Sequence, residues 1–379
     1  MSTDHALPQL LEPSLEPWSP KPGMTKQIAV MMSGGVDSSV CASLLKEAGW
    51  DLVGITMKIP VACDTGKRGC CGADAAFVCH ELGIAHYFID VTEAFWQYII
   101  RPFEQAYARA RTPNPCIDCN TFLKFWLVWD LVERQFGIKT VATGHYARVV
   151  TDQGKTVLQQ GIDTKKDQSY FLYGIPAPRL PDLILPLGNL TKTEVRVQAR
   201  DLGLSVAEKA ESMELCFAGE GDYRDALSSE QRHQPGDLTD MQGQVIGIHQ
   251  GIANYTLGQR KGIGYAGGKP LYVGRIDAEA NTVALGTREE VCARQVWVGE
   301  LNVLDPQQWK TDTALGAKIR SYGDPRACVL KEATETQALV EFDEAQFAPC
   351  PGQRLVVYHP DGHVIAGGTI PDHPMTHSE

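Results

Sequence analysis

The chain of 379 residues is longer than one hydrophobic core supports, so two or three domains are expected. Its hydrophobic fraction of 43% is that of a globular protein. No apolar run approaches the roughly 20 residues of a membrane span, so a cytoplasmic protein with no membrane partner is expected. A formal net charge of −11 excludes a general polyanion binder and leaves any nucleic-acid contact to a few placed cations. Candidates are Arg109 and Arg111, Lys165 and Lys166, and Arg260 with Lys261.

Residues 1–25 are proline-rich, of mixed charge and without an apolar core. They are expected to form a disordered tail and not a secretory signal. The run Ile28-Ala29-Val30-Met31-Met32 then predicts a buried strand, followed by the turn Ser33-Gly34-Gly35-Val36-Asp37-Ser38-Ser39 and a helix carrying Val40, Leu44 and Leu45. Glycines at such a turn let the backbone approach an anion, and the helix start offers it amide donors and a positive dipole end. The spacing is neither that of a Walker A loop nor that of a Rossmann fingerprint. A plain strand-to-helix turn with capping serines is the alternative reading.

Further along, Leu52–Met57 and Ala85–Asp90 predict strands, with a helix over Ala73–Leu82 between them. Helices are predicted over Glu93–Arg109 and Phe122–Phe136, the latter closed by Gly137, and a strand over Lys139–Gly144. Strands alternating with helices imply a parallel sheet, with ligands at the carboxyl ends of its strands. The glycine turn, Met57 and Gly144 all fall at such ends. After about residue 222 the texture changes to short strands punctuated by Gly243, Gly247, Gly251, Gly258, Gly262 and Gly264. From about Val291, alternating runs at Val296–Val298, Ala338–Phe342 and Leu355–Tyr358 read as an antiparallel barrel or sandwich.

The eleven cysteines read as reduced thiols and not as a disulfide framework. Arg111-Thr112-Pro113-Asn114-Pro115-Cys116-Ile117-Asp118-Cys119-Asn120 is expected to be extended at its two X-Pro steps, with a helix opening just after Cys119. The helix dipole, with Arg111 or Lys124, would then lower the thiol pKa. A zinc or redox Cys-x-x-Cys is the alternative, although a zinc site needs a second ligand pair and the adjacent Cys70 and Cys71 chelate poorly. Cys216, between Leu215 and Phe217, reads by itself as a core cysteine. Cys63, Cys70, Cys71 and Cys79 are taken as buried or peripheral thiols.

The turn Ser33–Ser39 resembles the PP-loop of ATP pyrophosphatases. The whole set resembles the tRNA-specific 2-thiouridylases (MnmA/TrmU family). The matching blocks are Ser33–Ser39, Gly54–Lys58, Thr112–Asn120 with Lys124-Phe125, Thr143–Arg148, Lys166–Leu172, Leu215-Cys216-Phe217 and Tyr255–Gly264, in order over about residues 26–370. The resemblance implies an α/β PP-loop domain of the adenine nucleotide alpha-hydrolase type over 26–222. A small glycine-rich β module would follow over 223–288, and an antiparallel β-barrel over 289–372.

The resemblance also implies ATP and Mg2+ as cofactors, with Met31, Met32, Ser33, Gly34, Gly35, Val36, Asp37, Ser38, Met57 and Gly144 around the nucleotide. Asp37 would be a ligand or orienter of the Mg2+. Adenylation would activate the oxygen on carbon 2 of the wobble uridine of tRNA. Cys216 would carry sulfur as a persulfide, received from a cysteine desulfurase or a sulfur-relay protein. Cys119 would attack that persulfide and end as its disulfide partner. Asn114, Pro115, Cys116, His145, Lys166, Asp167, Gln168, Arg320, Ser321 and Gln353 match positions near the RNA. Many relatives carry Asp where this chain has Cys116, so Cys116, Cys119 and Cys216 are also candidate ligands of a 4Fe–4S cluster, and both sulfur routes stay open. A nitrogen-transferring PP-loop enzyme is the rival within the superfamily; a metal-binding RNA-interaction protein with a dead ATP site is the rival outside it.

Overall fold

The computed structural model describes residues 25–60, 71–152, 154–210, 215–217, 234–265 and 267–372. The expected tail therefore lies outside the described residues except for Thr25, as do Cys63 and Cys70. A five-stranded parallel sheet is built from β1 (Gln27–Met31), β2 (Asp51–Lys58), β3 (Ala85–Asp90), β4 (Val141–Ala142) and, beyond the hairpin of β5 (Ala147–Asp152) and β6 (Lys155–Gln160), β7 (Leu183–Ile184). Its order is β3-β2-β1-β4-β7. Ile28, Ala29 and Val30 of β1 are wholly buried, as a central parallel strand covered on both faces requires.

One face packs against α1 (Val36–Glu47), α2 (Cys71–Glu81) and α5 (Lys192–Asp201) through Val40, Leu45, Val78 and Val195. The other packs against a helix over 115–136, α4, through Phe125, Val128 and Trp129. Between α2 and α4 runs α3 over 92–108, with a π-helical stretch at Trp96–Ile100.

Two expected elements differ. The strand expected over Lys139–Gly144 is reduced to Val141–Ala142. The helix expected from Phe122 begins at Pro115, so Cys116 and Cys119 lie in its opening turns and not in an extended segment before it. Core packing of Ile117, Phe125 and Trp129 selects this start, and two local effects are compatible with it. Pro115 occupies the first helical position, where its fixed φ suits a helix and its missing N–H costs nothing. Asn114 caps the start by accepting from the Ile117 amide at 3.3 Å.

The glycine-rich stretch forms a four-stranded sheet in the order β10-β11-β8-β9, from β8 (Gly236–Asp240), β9 (Val245–His249), β10 (Tyr272–Asp277) and β11 (Thr282–Gly286). Leu238, Tyr255, Val273 and Leu285 form its core. The last strands are β12 (Cys292–Val303), β13 (Leu315–Lys318), β14 (Arg326–Ala333), β15 (Gln337–Phe347), β16 (Arg354–Tyr358) and β17 (Val364–Thr369). They close as β12-β15-β14-β13-β16-β17, every pairing antiparallel. Closure selects the barrel over the sandwich and leaves no strand edge open.

The barrel is seated on the parallel-sheet domain beside α4. The Thr112 amide donates to the Pro351 carbonyl at 2.8 Å, and the Tyr170 hydroxyl donates to the Arg354 carbonyl at 2.7 Å. Asn302 Nδ2 donates to the carbonyls of Tyr173 and Ile175. Gly352, at φ 86°, passes so close that a Cβ there would lie 3.0 Å from the Arg111 Cβ. At the centre Arg354 pairs with Asp118, both side chains 13% exposed. Burial pushes the Asp118 carboxyl up and Arg354 pulls it down; the guanidinium itself stays charged because Tyr173 and Asp118 favour the cation.

Removing one partner of such a pair leaves an uncompensated buried charge, at a cost of about 3–5 kcal/mol. Arg354→Met is therefore expected to lower the thermal midpoint clearly, and Asp118→Asn added to it is expected to restore part of the loss. Additive losses in that cycle would show that the pair does not couple the two domains.

Candidate active site

The loop between β1 and α1 has the form an anion site needs. Gly34 sits at φ 70°, a conformation that suits glycine, and Gly35 is the N-cap of α1 with no side chain capping the helix. The serines instead brace the loop from within. Ser38 Oγ donates to the Gly35 carbonyl at 3.1 Å and accepts from the Ser33 amide at 3.2 Å. Ser39 Oγ donates to the same carbonyl at 2.9 Å. Thus the alternative of ordinary capping serines fails, and the uncapped positive end of a 12-residue helix faces the end of the sheet. Gly144, just past β4, lies against this turn: a Cβ there would stand 2.7 Å from the Asp37 carbonyl carbon. Met31 and Met32 are buried beneath the loop, and Met57, half-buried, ends β2 beside it in the sheet.

Asp37 is not poised as an open metal ligand. Its carboxylate accepts from Lys192 Nζ at 2.7 and 2.9 Å and from the Tyr146 hydroxyl at 2.7 Å. The Lys192 side chain is only 13% exposed, and its ammonium also lies 5.5 Å from the Tyr146 ring centroid. Tyr146 is fixed in turn by Gln168, whose Oε1 accepts from the Tyr146 amide at 2.9 Å. A second cation, Lys209, donates to the Gly34 carbonyl at 2.8 Å and pairs with Asp74 at 2.5 Å. The residues present therefore fit a nucleotide's phosphates, whereas a metal ion on Asp37 would have to displace Lys192.

The thiols form the second part. Cys116 and Cys119, three residues apart, share a face of α4. The segment 215–217 meets them from the far end of the domain because Phe217 is buried edge-on between Phe95 and Phe103, at centroid distances of 6.0 and 5.2 Å. Leu215 and Cys119 pack on the same aromatic cluster. Cys216 consequently lies in the neighbourhood of Cys119 and Cys116, whose charges push its thiol up, and the Lys124 cation acts on all three. Lys124 is held by Asn120 Oδ1 at 2.8 Å, and Asn120 by the Phe171 carbonyl at 3.1 Å.

The expected lowering of the thiol pKa is not found. Cys116 and Cys216 touch solvent, but enough protein mass surrounds the group that desolvation outweighs Lys124. Burial pushes the Cys116 and Cys119 thiols up, and the Cys216 thiol up to about 12. Arg111 takes no part: its guanidinium is paired with Asp372. Of the cysteines taken as buried or peripheral, Cys79 is buried, with its thiol pushed up to about 11.

The remaining sequence candidates divide. His145 packs beside α4, its ring 6.1 Å from Phe125 and its Nδ1 2.7 Å from Thr143 Oγ1; burial and Lys124 hold it neutral. Asn114 and Pro115 form the start of α4. Asp167 is an internal brace, accepting from the Gly161 amide at 3.0 Å and the Ser169 hydroxyl at 2.8 Å. Lys166 adjoins it. Arg320 donates to the Phe347 carbonyl, and Gln353 hydrogen-bonds through its backbone to Cys350 and Ile370. Ser321 is exposed.

Lys192, Lys209 and Tyr146 are site residues that the sequence candidates lack. The Thr191-x-x-Glu194 capping box is legible as a helix start, but nothing local tells that Lys192 at its first turn reaches Asp37.

Comparison with known proteins bears on this geometry. The family model described as tRNA methyl transferase HUP domain matches residues 26–220. Models described as tRNA methyl transferase PRC-barrel domain and aminomethyltransferase beta-barrel domain match 224–287 and 293–370. The tRNA-specific 2-thiouridylase MnmA of Acetivibrio thermocellus is 39% identical over 91% of this chain and 99% of its own length. That of Heliobacterium modesticaldum is 41% identical over 92% and 93%. Among solved structures, the U34-tRNA thiolase NcsA from Methanococcus maripaludis, with its 4Fe–4S cluster, aligns over 51% of this chain and 62% of that one. Its identity is 22% and its TM-score 0.32, too distant a likeness to bear on the site.

Proposed function

Because this chain belongs to the tRNA-specific 2-thiouridylase family, we propose that it uses ATP to replace the carbon-2 oxygen of the wobble uridine of tRNA with sulfur, releasing AMP and pyrophosphate. The observation that carries this reading is the pairing of an uncapped glycine turn with cysteines of α4 and of the 215–217 segment, which pack on one aromatic cluster of the α/β domain. Methyl transfer and amination call for no such thiols.

The nucleotide's phosphates would lie on the Gly34–Ser38 turn, with Met31, Met32, Met57 and Gly144 shaping its surroundings. Lys192, held by Asp37 and Tyr146, supplies positive charge where the pyrophosphate leaves. Mg2+ arriving with ATP would neutralise phosphate charge; its ligands are mainly the nucleotide's own oxygens, because Asp37 is occupied. The Cys119 thiolate attacks the Cys216 sulfur of a Cys216 persulfide. A Cys119–Cys216 disulfide forms, and the outer sulfur leaves with the bond's electron pair. That sulfide adds to carbon 2 and AMP departs with the former carbonyl oxygen. An external dithiol, oxidised to its own disulfide, reduces the Cys119–Cys216 bond, and a cysteine desulfurase or sulfur-relay protein then transfers the next sulfane sulfur to the Cys216 thiol.

Cys116 favours a second reading. Three thiolates at one place would hold a 4Fe–4S cluster, which would supply a bound sulfide in place of the persulfide. We also divide the work of the chain among 26–222 for chemistry, 223–288 as a linking module and 289–372 for RNA positioning.

Incubation of the protein with tRNA, ATP, cysteine, a cysteine desulfurase and a dithiol reductant, and in parallel anaerobically with sulfide in place of the desulfurase and cysteine, tests the function. Pyrophosphate release that depends on tRNA, with 2-thiouridine found by mass spectrometry, is expected. Release without tRNA, or an intact uridine after release, would overturn it. RNA contact is proposed at Asn114, Pro115, Cys116, His145, Lys166, Arg320, Ser321 and Gln353, with Asp167 and Gln168 bracing their surroundings. Lys166→Ala and Arg320→Ala are each expected to weaken tRNA binding and to reduce its salt slope by about one. An unchanged slope removes that position from the interface.

A further inference from the structure

The turn joining β16 to β17, Tyr358-His359-Pro360-Asp361-Gly362-His363, has no part in the proposed chemistry, yet it gathers three ligand-type side chains. His359 Nδ1 and His363 Nδ1 lie 3.0 and 2.7 Å from the same carboxylate oxygen, Asp361 Oδ1. All three atoms fall within 4.8 Å of one another, and no other such trio of His, Cys, Asp or Glu exists among the described residues. A tetrahedral zinc ion with ligands near 2.0–2.1 Å separates them by about 3.3 Å, so a small opening of this trio suffices.

A buried carboxylate stands behind the trio. His363 is 7% exposed, and its Nε2 lies 3.1 Å from Oδ2 of Asp305, which is 1% exposed. Asp305 also accepts from Lys155 Nζ at 2.6 Å. A carboxylate so placed is the kind of partner that stands behind metal-bound imidazoles, and it orients the His363 ring with Nδ1 toward Asp361. The Asp361 amide points at His359 Nδ1 at 3.4 Å, the His363 amide donates to Asp361 Oδ1 at 3.0 Å, and the two imidazoles stack with centroids 4.6 Å apart, so both Nδ1 atoms and the carboxylate lie on one side of the turn.

The geometry points to a divalent transition-metal site, best matched by Zn2+, held by His359, Asp361 and His363, with Asp305 orienting His363 from behind and solvent completing the coordination. Two imidazoles and one carboxylate suit zinc better than the all-oxygen preference of Mg2+ or Ca2+. The ion would be structural. The same turn is seated on the β5–β6 hairpin, where the Gln160 amide donates to the Gly362 carbonyl at 3.0 Å and Gln159 Nε2 to the Asp361 carbonyl at 2.8 Å. Metal binding there stiffens the junction between barrel and parallel-sheet domain.

Because thiols also bind zinc, the test uses the full chain carrying Cys63→Ser, Cys70→Ser, Cys71→Ser, Cys116→Ser, Cys119→Ser and Cys216→Ser, which leaves only buried or isolated cysteines. Chelator-treated protein is titrated with Zn2+ alone, reading bound metal after desalting and the thermal midpoint. One equivalent retained and a raised midpoint are expected. Asp361→Ala, on a half-exposed side chain, and His359→Ala should each weaken binding at least about tenfold and abolish the shift. Co2+ in the same background should give visible ligand-field bands without a thiolate charge-transfer band. Equal zinc uptake by parent and variants, no retained zinc, or a thiolate band would overturn the site.

Discussion

Cys119→Ser and Cys216→Ser each lower 2-thiouridine formation by at least about a thousandfold, because hydroxyls replace the two sulfurs between which the bond is exchanged. The variants should keep the native thermal midpoint, since Cys216 reaches solvent and Cys119 is half-buried. Cys116→Asp separates the two sulfur routes. Substantial activity without iron in that variant supports the persulfide; lost activity together with lost iron in the parent's cluster supports the iron–sulfur reading. Full activity in Cys216→Ser would eliminate both.

The pH dependence has a definite sign. Folding raises these thiol pKa values above the ordinary 9.0, Cys216 to about 12, so the thiolate is the minor form at neutral pH. Its population rises about tenfold per pH unit below the pKa, and single-turnover sulfur transfer should rise with it. Lys124→Gln removes the cation that opposes this shift and should move the profile to higher pH. A rate that is flat between pH 7 and 9 in both proteins would place the attacking thiol elsewhere.

Asp37→Ala has an effect of comparable size on the other half-reaction. It leaves Lys192 and the Tyr146 hydroxyl without their common acceptor, so the cation next to the loop is no longer held. Loss of one preorganised charge at a reacting phosphate is worth on the order of a hundred- to a thousandfold. tRNA-dependent pyrophosphate release should fall by that factor in Asp37→Ala and in Lys192→Gln. The double variant should lose little more than either alone, because the two residues act as a unit. Multiplicative losses would mean that Asp37 and Lys192 serve separate steps, which is what a metal ligand at Asp37 would produce.

Local sequence determined much of this protein. The run Ile28–Met32 entering Ser33-Gly34-Gly35 specifies a buried strand and a tight turn into a helix, because glycine takes the left-handed φ of residue 34 without strain. The alternation of β1, α1, β2, α2 and β3 specifies a parallel sheet, since each apolar strand must be covered on both faces. The blocks around Cys116, Cys119 and Cys216 identify the family.

Tertiary structure decided what depends on distance in space. Pro115 reads equally as an extended step or as a first helical residue, and packing of Ile117, Phe125 and Trp129 in the core selects the helix. Thiol acidity followed the surrounding protein mass and not the helix dipole, a balance that no spacing reveals. The partner of Asp37 lies 155 residues away at Lys192, and Cys216 reaches Cys119 through the packing of Phe217 on Phe95 and Phe103. Such contacts form because burying those side chains together is favourable for the fold as a whole. Their pairing is therefore written in no local stretch of the chain.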